Sequence, residues 1–250
     1  MRFKQALCLI GGVTVAVLLV GMHFGQAQNR APDGVAPEEG IFVTPVSGQP
    51  FSAVAVIEMT RALQDGSVLH LHTTALLARD SRGHIHNEMR QLVPMGSARE
   101  PSLLRLHIYD PQTRLNTYLN PLTHVATQRT LEREPSTAPP ANWAQQNKYQ
   151  PSSNVQMEDL GTSTKDGVYV HGYRRAITLD AKVSGTGRSV VVTDEYWYAE
   201  DIRLNLLEKH SDPRKGDFTT TLTKLNREEP SNDLFIVPTE YKVVNLAPER

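Results

Sequence analysis

The sequence predicts a mainly β protein, namely a curved antiparallel sheet or half-barrel of consecutive hairpins with little helix. Two observations predict this fold. Apolar and polar residues alternate with a period of two along several segments, which is typical of strands with one buried face. Short turns that contain glycine separate these segments, and no segment has the apolar periodicity of a long helix.

The first three strands form a meander that begins at Phe51. The turns at 64–66 and 81–83 each end in glycine and fit a type I turn closed by a residue in the left-handed region. Pairing through the first turn puts Met59 opposite Leu71, and the apolar residues of all three strands then share one face. Because a shift of one residue would divide them between both faces, the turns and the alternation predict the same register.

Further hairpins follow the meander. One turns at Asp110-Pro111, where proline fits the second turn position, and its strands put Leu104 and Leu106 in position to face Leu119. The segment 231–235 is expected to form a single helical turn. The second half of the chain contains predicted strands at 155–161, 168–179, 189–198, 202–209 and 218–225.

The N-terminus has the pattern of a secretory signal peptide. Arg2 and Lys4 precede an uncharged apolar run at 6–20, and the small-x-small site at 25–27 follows it. Residues 1–27 are therefore predicted to be a signal peptide, which makes the mature chain periplasmic or secreted. The alternative is an uncleaved membrane anchor, since the run nearly reaches the ~18–20 residues that span a bilayer.

Composition shifts divide the rest of the chain. Residues 28–50 are rich in proline, glycine and alanine and are predicted to be a flexible linker. Residues 51–243 are predicted to form a single antiparallel β domain, and 244–250 a tail. A segment at about 132–153 has four prolines and few large apolar residues, so it is expected to be a loop insertion.

Several classes of function are disfavoured by the composition. Lys plus Arg number 26 against 27 Asp plus Glu, without the basic stripe of a nucleic-acid binder. Cys8 is the only cysteine and lies in the predicted signal peptide, so the mature chain would have no disulfide and no thiol nucleophile. The sequence contains no phosphate-binding glycine loop and no nucleophile elbow, so no cofactor and no catalytic residue is predicted.

The histidines are the first residues to test for metal binding. The pairs His70-x-His72 and His84-x-His86 have the composition of a zinc or copper site. The predicted register places His86 opposite Ala78, six residues from His72, or about 20 Å along a strand. A metal shell needs its ligands within about 2 Å of the ion. No metal site is therefore predicted.

A curved sheet has a concave apolar face that serves either as core or as a ligand cavity. Trp197 belongs to the densest aromatic cluster, for which core packing and a groove wall for a ligand are both open interpretations. The residues predicted to line the inward, ligand-binding face are Ile57, Met59, Leu71, Leu77, Met89, Leu104, Leu106 and Trp197.

Several motifs carry a family resemblance. They are Leu160-Gly161, Asp166-Gly167-Val168, Gly172-x-Arg174, Glu195-x-Trp197-Tyr198, His210-Ser211-Asp212-Pro213-Arg214-x-Gly216 and Leu234-Phe235-x-Val237-Pro238-x-x-Tyr241. With them the chain resembles a family of uncharacterised secreted bacterial proteins of the acidobacterial type. More distantly it is similar to the LolA, LolB and RseB-like lipoprotein-carrier superfamily.

The distant resemblance implies an incomplete barrel that holds acyl chains or lipopeptide beneath a helical lid, although residues 28–50 show no lid helix. The expected function is a non-enzymatic periplasmic binding or carrier module for an apolar ligand or lipidated partner. The expected partners are a lipid, a lipoprotein or an envelope protein. The alternatives are an interaction domain of the envelope that binds through the 132–153 insertion, and a hydrolase whose acidic residues are brought together by the fold.

Overall fold

The computed structural model describes residues 43–63, 65–132 and 154–247, and these residues form thirteen strands. One helical turn, Ala181–Ser184, lies between the ninth and tenth strands, and a 3₁₀ turn, Asn232–Phe235, precedes the last. The strands are β1 Phe51–Ala62, β2 Val68–Arg79, β3 Ile85–Arg90, β4 Val93–Pro94, β5 Leu103–Asp110, β6 Leu115–Asn120, β7 Val125–Thr130, β8 Val155–Lys165, β9 Val168–Leu179, β10 Val190–Ala199, β11 Leu204–Asp212, β12 Gly216–Asn226 and β13 Lys242–Asn245.

The described strands belong to a single sheet. Its order is β13-β7-β6-β5-β3-β2-β1-β12-β11-β10-β9-β8, and β4 pairs separately with β2. Neighbouring strands are antiparallel, apart from β13, which joins β7 in parallel. The sheet is open and curved, with little helix, so the predicted fold class is confirmed.

The predicted register of the first meander is also confirmed. Met59 pairs with Leu71, and Ala78 pairs with His86. Gly66 and Gly83 close the two turns with φ angles of 83° and 90°. This left-handed conformation costs glycine nothing, which is why these turns and this register occur together.

The register assigns every strand side chain to one of two faces. We call the inner face the one that carries Phe51, Ala53 and Ala55, because these β1 residues are buried while their neighbours in sequence are partly exposed. The other side is the outer face. The lower end of the sheet is the end at which β1 begins.

A hydrophobic core fills the lower end of the inner face. Its strand members come from β1, β2, β3 and β5 on one side of the sheet order and from β9, β10, β11 and β12 on the other. A flat sheet would spread these strands over about 35 Å, so the cluster depends on the curvature. The core cluster comprises Val43, Phe51, Ala53, Ala55, Ala75, Leu77, Ile85, Tyr109, Val168, Val170, Ala199, Ile202, Leu204, Leu206 and Leu222.

Arg79, at the end of β2, lies within this core and is fully buried. Its guanidinium donates to the carbonyl oxygens of Gln49 at 2.9 Å, Thr44 at 2.7 Å and Ile202 at 2.7 Å. It also lies 5.1 Å from the centre of the Phe51 ring. Burial lowers the pKa of Arg79 to about 10, so the group remains a cation at neutral pH. One side chain thus joins the segment before β1 to the turn between β10 and β11.

The C-terminal segment, residues 227–247, packs on the outer face. His86 Nδ1 lies 2.6 Å from the Leu234 carbonyl oxygen, and β13 then pairs with β7. Val237 and Tyr241 pack on a second apolar cluster, which comprises Ile108, Leu119, Ala126 and the partly buried Leu106. The predicted helical turn within this segment is confirmed at Asn232–Phe235.

Residues 43–50 differ from the flexible linker predicted for 28–50. Val43 and Thr44 are 3% and 2% exposed, because Arg79 and the core cluster hold this part of the segment on the sheet. The predicted signal peptide, the rest of the linker and all but the first residue of the 132–153 insertion lie outside the described residues. Among the residues that are described, no helix has the length and apolar composition needed to cross a membrane.

We expect Arg79→Met to destabilise the fold by at least about 3 kcal/mol, since it leaves three buried carbonyl groups without a donor, each costing about 1–3 kcal/mol. Urea unfolding followed by circular dichroism measures this loss. Arg227→Met is the matched control, because it removes an exposed ion pair with Asp201 and should change stability by about 0.5 kcal/mol or less. Equal effects of the two substitutions would contradict the role given to Arg79.

Candidate ligand-binding face

An apolar patch lies on the inner face above the core cluster. It consists of Ile57, Met59, Leu71 and Met89, on the central strands β1, β2 and β3. Met59 is 7% exposed, and the other three are partly exposed. Phe218 on β12 pairs with Met59 and extends the patch to the neighbouring strand. The patch therefore presents aliphatic and aromatic surface on the concave side of the sheet.

Two threonines flank Ile57 within this face, Thr73 on β2 and Thr220 on β12. They are 2% and 3% exposed. The hydroxyl of Thr73 has no hydrogen-bond partner in the structure. An unsatisfied buried hydroxyl costs about 1–3 kcal/mol, so Thr73 lowers the stability of this part of the sheet.

An ionic cluster lies across β9, β10 and β11. The Asp194 carboxylate accepts hydrogen bonds from Arg175 at 2.5 and 3.0 Å and lies 2.7 Å from His210 Nδ1. Burial acts to raise the pKa of Asp194, but the hydrogen bonds and charges of His210 and Arg175 outweigh it and lower that pKa. Asp194 is therefore ionised across the neutral range.

Glu208 lies next to this cluster, and its pKa is shifted in the opposite direction. It pairs with Tyr196 on one side and with Thr220 on the other, and Asn205 Nδ2 donates to its carboxyl group at 2.9 Å. Burial raises the pKa of Glu208, and the negative charge of Asp194 adds to this rise. One carboxyl group with a lowered pKa thus lies beside one with a raised pKa on adjacent strands.

A hydrogen-bonded network extends across β5 and β6 on the inner face. His107 Nε2 bonds the Asn116 side-chain oxygen, and Asn116 Nδ2 donates to the Tyr118 hydroxyl at 3.3 Å. The His107 ring stacks on Tyr118 at 4.8 Å, and the Arg105 guanidinium lies 4.9 Å from the centre of the same ring. Burial lowers the pKa of His107 to about 4, and the nearby charge of Arg105 contributes to this change. The imidazole is therefore neutral at pH 7.

Five of the eight residues predicted to line the ligand-binding face lie on the inner face. Four of them form the apolar patch. The fifth, Leu77, is 1% exposed inside the core cluster, so it supports the face from below. The role of the patch in binding a ligand remains a prediction.

The expectation that Leu106 lies on this face is wrong. Met89 pairs with Arg105 on the inner face, and Leu106 pairs with Glu88, so Leu106 belongs to the outer face. Leu106 packs there on the second cluster. Leu104 lies at a bulge in the β3–β5 pairing and is 44% exposed, and its role in binding stays a prediction. The predicted pairing of β5 with β6 is confirmed, since Leu106 lies opposite Leu119. The sequence did not determine the register between β3 and β5, because a connection of twelve residues, 91–102, joins these two strands.

Trp197 packs against the core cluster, as Ile57 does. Its Nε1 donates to Glu195 at 2.7 Å, and the Lys165 ammonium lies 4.7 Å from the ring centre. The ring covers Gly172 so closely that a Cβ at that position would come within 2.9 Å of it. A bulge follows Trp197 in the pairing with β11, and this irregularity is not visible in the sequence.

Sequence reasoning missed Arg175, Asp194 and His210. Arg175 and Asp194 lie within predicted strands and His210 directly follows one, and a charged or titratable residue at such a position was the available signal. The cluster forms across strands rather than along one. The ten-residue loop 180–189 joins β9 to β10, so no short turn fixed that pairing in advance.

The histidine pairs of the sequence have separate partners in the structure. His86 is buried and bonds the C-terminal segment through Leu234, whereas His84 Nδ1 lies 2.7 Å from Asp80. His70 is exposed on the outer face. Within the described residues, no group of three or more His, Cys, Asp or Glu side chains is arranged to hold a metal ion.

The chain was compared with known proteins at the level of sequence. No protein-family model matches it, and no curated protein matches it. The comparison with solved structures does give matches, and those described below have low sequence identity.

Three of the solved structures illustrate the result. Pseudomonas aeruginosa MucB, in its complex with MucA, is 16% identical over 79% of this chain and 59% of that chain, with a TM-score of 0.40. An uncharacterised conserved protein from Thermus thermophilus is 9% identical over 80% of this chain and 91% of its own, also with a TM-score of 0.40. A LolA superfamily protein from Nitrosomonas europaea is 8% identical over 77% and 92%, with a TM-score of 0.29.

The matches concern the fold alone. The predicted distant similarity to the LolA, LolB and RseB-like superfamily is confirmed as a distant likeness in fold. This chain spans less than two thirds of the MucB chain that it matches. At these TM-scores, nothing about a ligand or partner follows from the likeness.

We expect the fold to lose stability as the pH falls from about 6.5 to about 4, partly through His107. Its pKa in the folded chain is about 4, below the ordinary histidine value of about 6.5, so between these pH values the unfolded chain binds a proton that the folded chain does not bind. At about 1.4 kcal/mol per pKa unit, His107 contributes about 2–3 kcal/mol to this loss.

His107→Gln removes this titration while retaining a side chain that can donate to Asn116. The drop in urea midpoint between pH 7 and pH 4.5 should therefore be smaller in the variant than in the natural chain. His70→Gln, at an exposed position on the outer face, serves as the control and should leave the drop unchanged. An equal drop in all three chains would show that His107 is not held neutral.

Proposed function

We propose that this chain is a non-enzymatic binding or carrier module of the periplasm, whose inner face takes an acyl chain or a lipidated partner. One observation carries the proposal: aliphatic side chains that are still partly exposed lie on the concave side of an open, curved sheet. These are Ile57, Leu71 and Met89 of the apolar patch. Apolar surface gathered on a concave face is the usual basis of lipid and small-molecule sites.

The arrangement of the two faces supports the proposal. The core cluster fills the lower end of the inner face, and the C-terminal segment packs on the outer face. In the strand order of the sheet, the apolar patch lies on the central strands. The polar groups of β5–β6 lie on one side of it, and those of β9–β11 lie on the other. An amphiphile would contact aliphatic side chains along its tail and find charged groups on either side.

The proposed location follows from the predicted signal peptide. Cleavage after residue 27 would release the chain into the periplasm or the medium, and an uncleaved segment would anchor it to a membrane. Acyl chains and lipidated proteins are present in both of these environments. The proposed partners are a lipid, a lipoprotein or another envelope protein.

We expect lipid to copurify with the full-length chain when it is expressed with its own leader and isolated from the envelope without detergent. Native mass spectrometry and organic extraction detect such a ligand. The isolated chain should also bind a fluorescent fatty acid, and Leu71→Gln or Met89→Gln should weaken that binding by about tenfold, because each substitution removes roughly 50 Å² of apolar contact at about 25 cal/mol per Å².

The matched control is Val191→Gln, which makes the same kind of change at a side chain that is 47% exposed on β10. It should leave fatty-acid binding unchanged. Circular dichroism of each variant shows whether the sheet remains folded. Absence of any extracted lipid, together with no fatty-acid binding by the natural chain, would overturn the proposal.

A hydrolase is the second candidate, and one observation favours it. Asp194 and Glu208 lie on the same face with pKa values displaced in opposite directions, as in enzymes that use one carboxylate and one carboxylic acid. Both groups are already bound by protein, Asp194 by Arg175 and His210 and Glu208 by Asn205. These bonds support a structural role for the pair.

The two candidates differ in their behaviour toward aryl glycosides. Under the binding role, neither the natural chain nor Glu208→Gln releases the chromophore, and both keep the fold, since glutamine has the shape of the protonated acid. Chromophore release by the natural chain that Glu208→Gln abolishes would establish the hydrolase instead.

A further inference from the structure

An open depression of about 390 Å³ lies on β5, β6 and β7, beside the apolar patch. Arg105, Tyr118, Val125 and Thr127 contribute to it from the inner face, and Thr123 lies in the turn between β6 and β7. The other lining residues are Leu104, Leu119 and Asn120. None of the described lining residues is acidic, and one is a cation.

Arg105 has a ring contact in place of the carboxylate partner that several described arginines have. Six others form ion pairs with carboxylates, namely Arg82, Arg90, Arg174, Arg175, Arg214 and Arg227. Within the described residues Arg105 has no carboxylate partner, and its guanidinium instead lies 4.9 Å from the centre of the Tyr118 ring. Stacking on an aromatic ring orients a guanidinium while leaving its N–H donors available.

The Tyr118 hydroxyl is prepared to act as a second donor. Because the neutral His107 donates from Nε2 to the Asn116 oxygen, the Asn116 amide donates to the Tyr118 oxygen. The hydroxyl oxygen thus receives one proton and keeps its own for an acceptor. The hydroxyl of Thr123 lines the same depression. A cation and hydroxyl donors together suit an oxyanion, as a phosphate or carboxylate group provides.

The position of Arg105 links this depression to the apolar patch. Arg105 and Met89 are direct cross-strand partners on the inner face. Leu71 lies on β2, two strand spacings from Arg105 and about four residues further along the sheet, so the two positions are about 16 Å apart, within the reach of an alkyl chain. A molecule with an anionic head and an aliphatic tail can therefore contact Arg105 and the apolar patch at the same time.

We propose that Arg105, oriented by Tyr118, binds the oxyanion head group of an amphiphile whose tail lies on the apolar patch. This inference rests on the proposed binding function and adds the charge and place of the head group. The same oxyanion chemistry would also accept free phosphate, so the test separates a head group from a free anion.

The experiment measures the affinity of the purified chain for three probes: decyl phosphate, decyl maltoside and inorganic phosphate. We expect decyl phosphate to bind at least tenfold more tightly than the uncharged decyl maltoside, and at least a hundredfold more tightly than inorganic phosphate. Arg105→Met should abolish the preference for the charged head while leaving the affinity for decyl maltoside unchanged. Arg105→Lys should restore part of the preference, because it returns the charge.

Two further variants isolate the site. Tyr118→Phe keeps the ring under Arg105 and removes the hydroxyl, so it should weaken decyl phosphate binding by about three- to fivefold. Lys209→Met, which removes an exposed cation from β11, is the matched control and should change none of the affinities. Circular dichroism shows whether each variant is folded.

The possible results distinguish this inference from the function on which it rests. Equal binding of decyl phosphate and decyl maltoside, or an unchanged preference in Arg105→Met, would overturn the head-group site and leave the binding function standing. Inorganic phosphate binding as tightly as decyl phosphate would replace the amphiphile by a free anion. Failure of both alkyl probes to bind would overturn the proposed function itself.

Discussion

The buried guanidinium of Arg79 is the contact on which the lower end of the inner face depends. It bonds carbonyl groups from the segment before β1 and from the turn between β10 and β11, at Thr44, Gln49 and Ile202. These elements are separated by three strand spacings in the sheet, so the contact requires the sheet to curve. The apolar core cluster closes around the same side chain, and curvature and core packing are therefore coupled.

Above this core cluster the sheet carries both apolar and polar side chains. The central strands carry the apolar patch, and polar networks lie to either side of it, around Asp194 on β10 and around Tyr118 on β6. Burial acts on both networks, since it raises the pKa of Glu208 and lowers the pKa of His107 to about 4, which keeps that imidazole neutral near pH 7. A surface with a fixed apolar centre and fixed polar flanks is suited to select molecules that have both kinds of group.

The parts of this arrangement that follow short turns were predictable from the sequence. Gly66 sets the turn that pairs Met59 with Leu71, and alternation confirms that register because any slip would expose half of the apolar residues. Leu106 was placed on the wrong face because no short turn links β3 to β5. Asp194 was missed for a related reason, since its partners lie on strands whose pairing is set by tertiary packing. Burial of Arg79 depends on carbonyl groups far away in sequence, and no local pattern reports them.

Photocrosslinking with a fatty acid that carries a diazirine near its terminal methyl tests the central claim most directly, because it maps where the tail lies. After irradiation of the folded chain and digestion, mass spectrometry should locate the modified residues on the inner face of β1, β2 and β3, at or next to Ile57, Leu71 and Met89. Modification confined to the outer face, or scattered over both faces of the sheet, would contradict a binding site on the inner face.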